Sequence, residues 1–185
     1  MSSLVISGDT SGTVTVTVPA VAGTNTATLP AATGTVMVSG NMPAFSVQGS
    51  LATQSISAST ASKIIIWGTP EWDTTNAWNS ANSYYQPLVA GYYQVSATVA
   101  IGRASTAVSG GNYGIQIYKN ITQYRNGMTF NNGGTNDVYM TVSSLVYLNG
   151  STDYVAIYVF NGTGSTTNVN SQSTQYFTAC LVRAA

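Results

Sequence analysis

The chain has 185 residues, 44% of them hydrophobic, which suits one large β domain or an ordinary domain with an appendage. Five Lys/Arg balance five Asp/Glu and there is no histidine, so there is no electrostatic footprint for nucleic acid, no His-dependent triad and no His ligand for zinc. No apolar run approaches the ~18 residues of a membrane span, and high hydrophobicity with so little charge is the opposite of a disordered composition.

Taken from the start, residues 1–6 show neither the basic nor the apolar region of a signal peptide, and the expectation is that they are not one. Residues 13–18 alternate Thr and Val strictly, which predicts a strand. A short internal repeat follows: residues 15–24 read TVTVPAVAGT and residues 26–35 read TATLPAATGT. Pro19 and Pro30 close the two predicted strands, because proline cannot donate to a ladder, and Gly23 and Gly34 permit the turns. No charged residue stands between Asp9 and Lys63, and residues 4–38 hold no aromatic side chain. Such a segment is too thin to fold alone. It reads either as a flexible linker or as strands that intertwine with identical strands of neighbouring chains. Every Trp, Tyr and Phe lies beyond Pro43, so the predicted boundary falls at about residue 42, between an arm (1–42) and a head (43–185).

The head reads as strands and turns. Tyr93, Val95, Ala97, Val99 and Ile101 share one face, with Gln94, Ser96 and Thr98 on the other. Residues 113–118 alternate likewise. Val138, Met140 and Val142 share a face, and a bulge is expected at Ser143–Ser144, where the phase shifts. Residues 154–160 are apolar on both faces, as a central or intersubunit strand requires. Residues 175–182 form the last strand, where Cys180 reads as a small buried hydrophobe. Turn signals fall at residues 109–112, 126–127, 131–134, 149–150 and 161–164. No window has helical periodicity with caps. Short strands separated by such turns predict a sandwich or jelly roll.

The segment from Trp67 to Ala97 carries the most specific pattern: Trp67, Asp73, Trp78, Tyr85, Gly91, Tyr93 and Val95 in fixed spacing. It resembles the signature of the C1q/TNF-like family, in which an aromatic, an Asp or Asn, a second aromatic and a Phe precede Gly-x-Tyr-x-Phe-x-aromatic. Trp67 and Tyr85 stand where Phe is usual, and Val95 and Ala97 replace two further aromatics, which implies a smaller core at that layer. Residues 176–181 also look like the family's final strand. The resemblance covers about residues 43–185 and implies a homotrimeric jelly-roll sandwich. Beside it, Asp73 is expected to cap a loop through its carboxylate, and Gly91 to serve either a positive φ or close packing. The arm segments 17–24 (TVPAVAGT) and 29–35 (LPAATGT) are similar to stretches of structural proteins of tailed bacteriophages, which also carry C1q-like domains at fibre ends.

Together the resemblances imply a non-enzymatic virion protein on the particle surface, a tail-fibre or spike component. The arm would join it to other virion proteins and to its own copies, and the head would meet a host-surface glycan or protein. A capsid decoration or head-fibre protein is the alternative, and a cellular C1q-like lectin a third. Loop tyrosines and amides, Tyr113, Tyr124, Asn126, Asn131 and Asn132, are the candidate receptor contacts. No cofactor is expected. Some family members bind calcium, but Glu71, Asp73, Asp137 and Asp153 are scattered where a hard cation needs convergent oxygens. A glycan-cleaving enzyme would need paired carboxylates, and Glu71 with Asp73 is the one close pair.

Overall fold

The computed structural model describes all residues except 1–2, 29–30, 32, 35, 39, 41, 102–110, 131–136 and 171–172, and the side chain of Phe130. It contains no α-helix among the described residues. The chain divides into two compact units, residues 1–34 and 35–185; the compositional break lies a few residues beyond that division.

The first unit is a hairpin of β1 (Ser3–Ser7) and β2 (Thr13–Thr17), with Leu4 opposite Val16 and Ile6 opposite Val14. Leu4, Ile6, Val14 and Val16 therefore share one face and the Ser and Thr residues the other. All four apolar side chains are exposed. The first copy of the repeat supplies β2; the second forms no strand among its described residues, and Leu29, Pro30, Ala32 and Thr35 lie outside them.

The second unit runs β3 (Ala44–Gly49), β4 (Thr53–Ile56), β5 (Thr60–Lys63), β6 (Trp67–Asp73), β7 (Trp78–Asn79), β8 (Tyr84–Tyr85), β9 (Gly91–Ile101), β10 (Asn112–Lys119), β11 (Thr122–Phe130), β12 (Val138–Leu148), β13 (Val155–Asn161), β14 (Thr167–Asn170) and β15 (Tyr176–Ala184). One sheet has the order β4-β14-β9-β15-β3-β6, with β12 on the free side of β9. The other has the order β11-β10-β13-β8-β7, with β5 also on β13. All pairs are antiparallel. Pro70 lies on edge strand β6, where its missing N–H costs no ladder bond.

The core fills the space between the two sheets. Strand β9 alternates as read, and Tyr93, Val95, Ala97, Val99 and Ile101 are fully buried. From the opposite sheet Tyr113, Ile115, Ile117, Val155, Ile157 and Val159 meet them. Each such aliphatic side chain is worth roughly 1.5–3 kcal/mol when taken from water. The doubly apolar segment 154–160 becomes β13, flanked by β10 on one side and β5 and β8 on the other.

Three sequence expectations need correction. No bulge occurs at Ser143–Ser144: β12 and β9 stay in register from Val138–Ile101 to Leu148–Gly91. Ser144 takes a core-side position and Leu145 stays exposed. Asn126–Gly127 is not a turn but lies within β11. A Cβ on Gly127 would stand 2.7 Å from Thr141 O, so that glycine answers a close approach of strands. Cys180 is exposed, because Phe177, Ala179 and Leu181 take the inward positions of β15.

Candidate functional site

The signature residues assemble into one packing centre. Phe45 lies between two rings, stacked on Trp78 at 4.9 Å and on Tyr85 at 4.9 Å. Phe177 meets Phe45 and Trp78 edge-on, and Trp67 lies 5.9 Å from Phe177. Tyr85, Tyr93 and Val95 are fully buried, whereas Trp67 and Trp78 are half-buried against the core. Asp73 Oδ2 accepts from Trp78 N at 2.7 Å and its Oδ1 from Thr75 N at 3.4 Å, closing the loop between β6 and β7. Tyr93 Oη donates to Val89 O at 2.7 Å. Burial pushes the Tyr85 and Tyr93 phenols well above their ordinary range. The indole N–H groups of Trp67 and Trp78 are buried without a hydrogen-bond partner, and Tyr85 Oη and Thr75 Oγ1 are buried with one another as polar neighbours but no hydrogen bond of good geometry. These residues pack the core and close the loop between β6 and β7.

The candidate receptor contacts separate. Tyr113 is fully buried and faces the core from β10; it cannot reach a receptor, because the alternation that places Asn112 and Gln116 on the outer side of the sheet turns Tyr113 inward. Tyr124 and Asn126 belong to β11 rather than to a loop. Tyr124 Oη donates to Leu145 O at 3.2 Å, and Arg125 lies 4.2 Å from the Tyr124 ring. Asn126 is exposed. Asn131 and Asn132 lie outside the described residues.

The carboxylates are also dispersed. Glu71 accepts from Ser46 Oγ at 2.7 Å and Gln48 Nε2 at 2.6 Å, and Asp73 caps its loop, so each member of the close pair is held by its own donors. Among the described residues no three His, Cys, Asp or Glu side chains converge on a metal-sized site. Amides do the work that charges do elsewhere. Asn149 Oδ1 accepts from the backbone N–H groups of Ser151, Thr152 and Asp153. Buried Asn161 donates to three carbonyls, of Ile56, Ser57 and Ser165.

Asp153 forms an ion pair with Lys119 at 2.8 Å and accepts from Asn120 Nδ2 and Asn149 N. Burial by itself would raise its pKa; the hydrogen bonds from Lys119 and Asn120 and the lysine charge outweigh that, and the carboxyl titrates below its ordinary value. A lowered folded-state pKa means the unfolded chain binds the proton more readily. The pair's contribution is complete above the ordinary carboxylate value of ~3.9 and is lost as pH falls through the lower folded value. Denaturant midpoints measured from pH 7 down to acid should fall in this window for the parent and flatten in Asp153→Asn. An unchanged acid limb in the variant would contradict this assignment.

What the head exposes is the outer face of the seven-stranded sheet. Its centre is a ladder of uncharged hydrogen bonds: Gln94 Nε2 to Ser143 Oγ at 2.7 Å, Ser96 with Ser143 at 2.7 Å, and Thr98 with Thr141 at 2.9 Å. Around it stand exposed Trp72, Leu145 and Val182 and the tilted pair Tyr92–Tyr147. A groove of about 380 Å³ runs past Trp72, Gln94, Thr178 and Cys180. With no ionised side chain lining it, the groove can be covered by a like surface without desolvating charge, while Glu71, held by Ser46 and Gln48, and Lys119, over the Tyr147 ring, stand elsewhere on the face.

Solved structures with a similar fold include Eiger TNF from S. frugiperda, with a TM-score of 0.58 at 9% identity over 78% of this chain and 95% of that one. Murine APRIL at pH 5.0 gives 0.56 at 7% over 76% and 99%, and PRD1 vertex protein P5 gives 0.54 at 20% over 76% and 97%. The chain thus has a TNF-like jelly-roll fold. No family model matches the chain, and no curated protein matches it in sequence.

Proposed function

We propose that the chain is a non-enzymatic, homotrimeric structural protein of a virion surface, a tail-fibre or spike component whose head binds the host. The observation that carries this reading is the outer face of the seven-stranded sheet, whose centre is the ladder of uncharged hydroxyl and amide side chains of Gln94, Ser96, Thr98, Thr141 and Ser143. It bears Trp72, Tyr92, Leu145 and Tyr147 in the open, and a closed threefold assembly of identical heads would bury it. Residues 1–42 supply a second uncovered surface. A lone two-stranded hairpin is marginal in water, so its face of Leu4, Ile6, Val14 and Val16 would gain stability from being covered, and on this reading neighbouring chains cover it. The arm therefore serves trimerisation and attachment to other virion proteins, and the head projects. The fold likeness to a phage vertex protein supports the virion setting. The same likeness favours a second reading, a capsid decoration or head-fibre protein, since a vertex is a place on a shell.

Sedimentation of the full chain at micromolar concentration should give a trimer, and residues 35–185 alone should remain folded while associating more weakly. A stable full-length monomer would sink the trimeric reading. Antibody labelling of purified particles distinguishes the two locations: label on tail fibres supports the first, label on the shell the second, and unlabelled particles oppose both.

A further inference from the structure

The outer face of the six-stranded sheet carries an aromatic tract that neither the core nor the proposed intersubunit face uses. Tyr158 of β13 stacks on Tyr118 of β10, with ring centroids 3.8 Å apart and planes 19° off parallel. Tyr154, one residue before β13, stacks on Tyr84 of β8 at 4.4 Å and 27°. The two pairs stand four residues apart on one strand, roughly 13 Å along it. All four rings are half-buried. Beyond Tyr84 the tract opens into a cleft of about 440 Å³ whose lining includes Trp78, Asn79, Gln86, Leu88 and Ser151.

Cross-strand packing alone accounts for one stacked pair on a sheet surface. It does not account for the polar groups placed along this one. Gln116, opposite Tyr158 in register, is 4% exposed, and its Oε1 has no hydrogen-bond partner. Its Nε2 donates to Gln123 Oε1 at 3.2 Å. In the cleft, Asn79 Nδ2 donates to Tyr84 Oη at 3.1 Å and Gln86 Nε2 to Ser151 O at 2.9 Å. Flat rings flanked by amides and hydroxyls match the two surfaces of a pyranose, an apolar C–H face and an edge of hydroxyls that donate and accept. The spacing exceeds what a single monosaccharide bridges. The cations beside the tract are engaged: Lys63 Nζ donates to Asn82 O at 2.7 Å, and Lys119 pairs with Asp153. Asp153 neutralises Lys119, and Lys63, which keeps its charge while donating to a carbonyl, is the single counter-charge an anionic polymer would find there, too few for a chain of charged sugars.

We propose that this tract, from Tyr118–Tyr158 through Tyr84–Tyr154 into the Asn79–Gln86 cleft, binds a neutral polysaccharide chain. The inference deepens the reading of the head as a host-binding module and rests on it for its biological setting, not for its chemistry. Binding uses ring faces and amide edges, so it is weak per head and multiplied by the number of heads in an assembly.

The test is native affinity electrophoresis of the full chain in gels containing α-mannan, laminarin, galactomannan or hydroxyethyl cellulose, with polygalacturonate as the anionic arm. At least one neutral polymer should retard the protein, equally across the salt range in which the Debye length falls from ~30 to ~3 Å. Tyr158→Ala and Tyr84→Ala should each weaken retardation about tenfold, the size of one lost ring contact. Gln86→Ala, a surface change outside the core, tests the cleft if a tyrosine variant melts early. No retardation by any neutral polymer overturns the proposal, as does retardation unchanged in folded Tyr158→Ala and Gln86→Ala. Salt-sensitive retardation by polygalacturonate alone also overturns it. Whole-cell binding separates the two levels. Binding abolished by protease but not by periodate oxidation of surface glycans points to a protein receptor, which ends this proposal and leaves the host-binding reading standing. Polysaccharide binding by a protein absent from particles does the reverse.

Discussion

Gly91→Val is expected to lower the melting temperature of the head strongly. Gly91 opens β9, and a Cβ there would stand 2.6 Å from Leu181 Cδ1, 3.0 Å from Ala184 Cα and closer still to Arg183 O. The leucine end could turn aside, but the other two atoms are backbone, fixed by the pairing of Arg183 with Tyr92 and Ala184 with Gly91. The opposite side is closed too. Gly150, at φ +70°, presses on this corner so tightly that its own Cβ would meet Ala90 N and Val89 C. The segment 89–91 is thus held between the β12–β13 turn and the last strand. Overpacking a core costs typically 1–3 kcal/mol. Here relief requires moving strand backbone, so the cost should reach or exceed the upper end. For a chain of this size that is a fall in Tm of about 2–4 °C for every kcal/mol. Gly91→Ala should show the same effect in smaller measure. A Gly91→Val protein that melts with the parent would mean that β15 does not pair where the register places it.

Most of the fold was legible because alternation in a strand reports burial directly. Strands β9, β10 and β13 were readable from residues whose inward set is uniformly apolar. The errors arose where a residue has two physical uses. Asn-Gly at 126–127 is a strong turn signal, yet Gly127 serves close strand approach. The hairpin joining β10 and β11 turns instead at Asn120, at φ +57°. Its amide oxygen accepts from Tyr154 N and its nitrogen donates to Asp153, contacts made across more than 30 residues that no local pattern reveals. The departures from the family signature were visible, but not what offsets them. Ala97 pairs with Phe177 on β15, and that ring, packed on Phe45 and Trp78, fills space that an aromatic on β9 would take. The binding surfaces were the least legible. Tyr113 is in phase with Ile115 and Ile117 in an alternating stretch, so its burial was readable, whereas Tyr158 sits in a stretch apolar on both faces, where only the sheet order decides that it joins the stacked tract.

Tyr93→Ala should cost about 3–5 kcal/mol, the range for deleting a buried aromatic side chain. Tyr93 is fully buried, meets Tyr85 edge-on at 6.1 Å, and bonds the Val89 carbonyl in the corner that leads into β9. Truncation therefore opens a cavity and frees a part-buried acceptor at once. The hydroxyl's share can be read separately. Tyr93→Phe removes only the bond to Val89 and should cost about 0.5–1.5 kcal/mol. Tyr85→Phe removes a buried hydroxyl whose polar neighbour is Thr75 Oγ1 and which makes no hydrogen bond of good geometry, so it should cost less than Tyr93→Phe. Phe is also the residue that the C1q/TNF-like signature carries at the position of Tyr85. Chemical denaturation of the three variants should thus rank Tyr93→Ala far below Tyr93→Phe, and Tyr93→Phe below Tyr85→Phe. A reversed order of the two Phe variants would assign the structural hydrogen bond to Tyr85, and a parent-like Tyr93→Ala would remove Tyr93 from the core altogether.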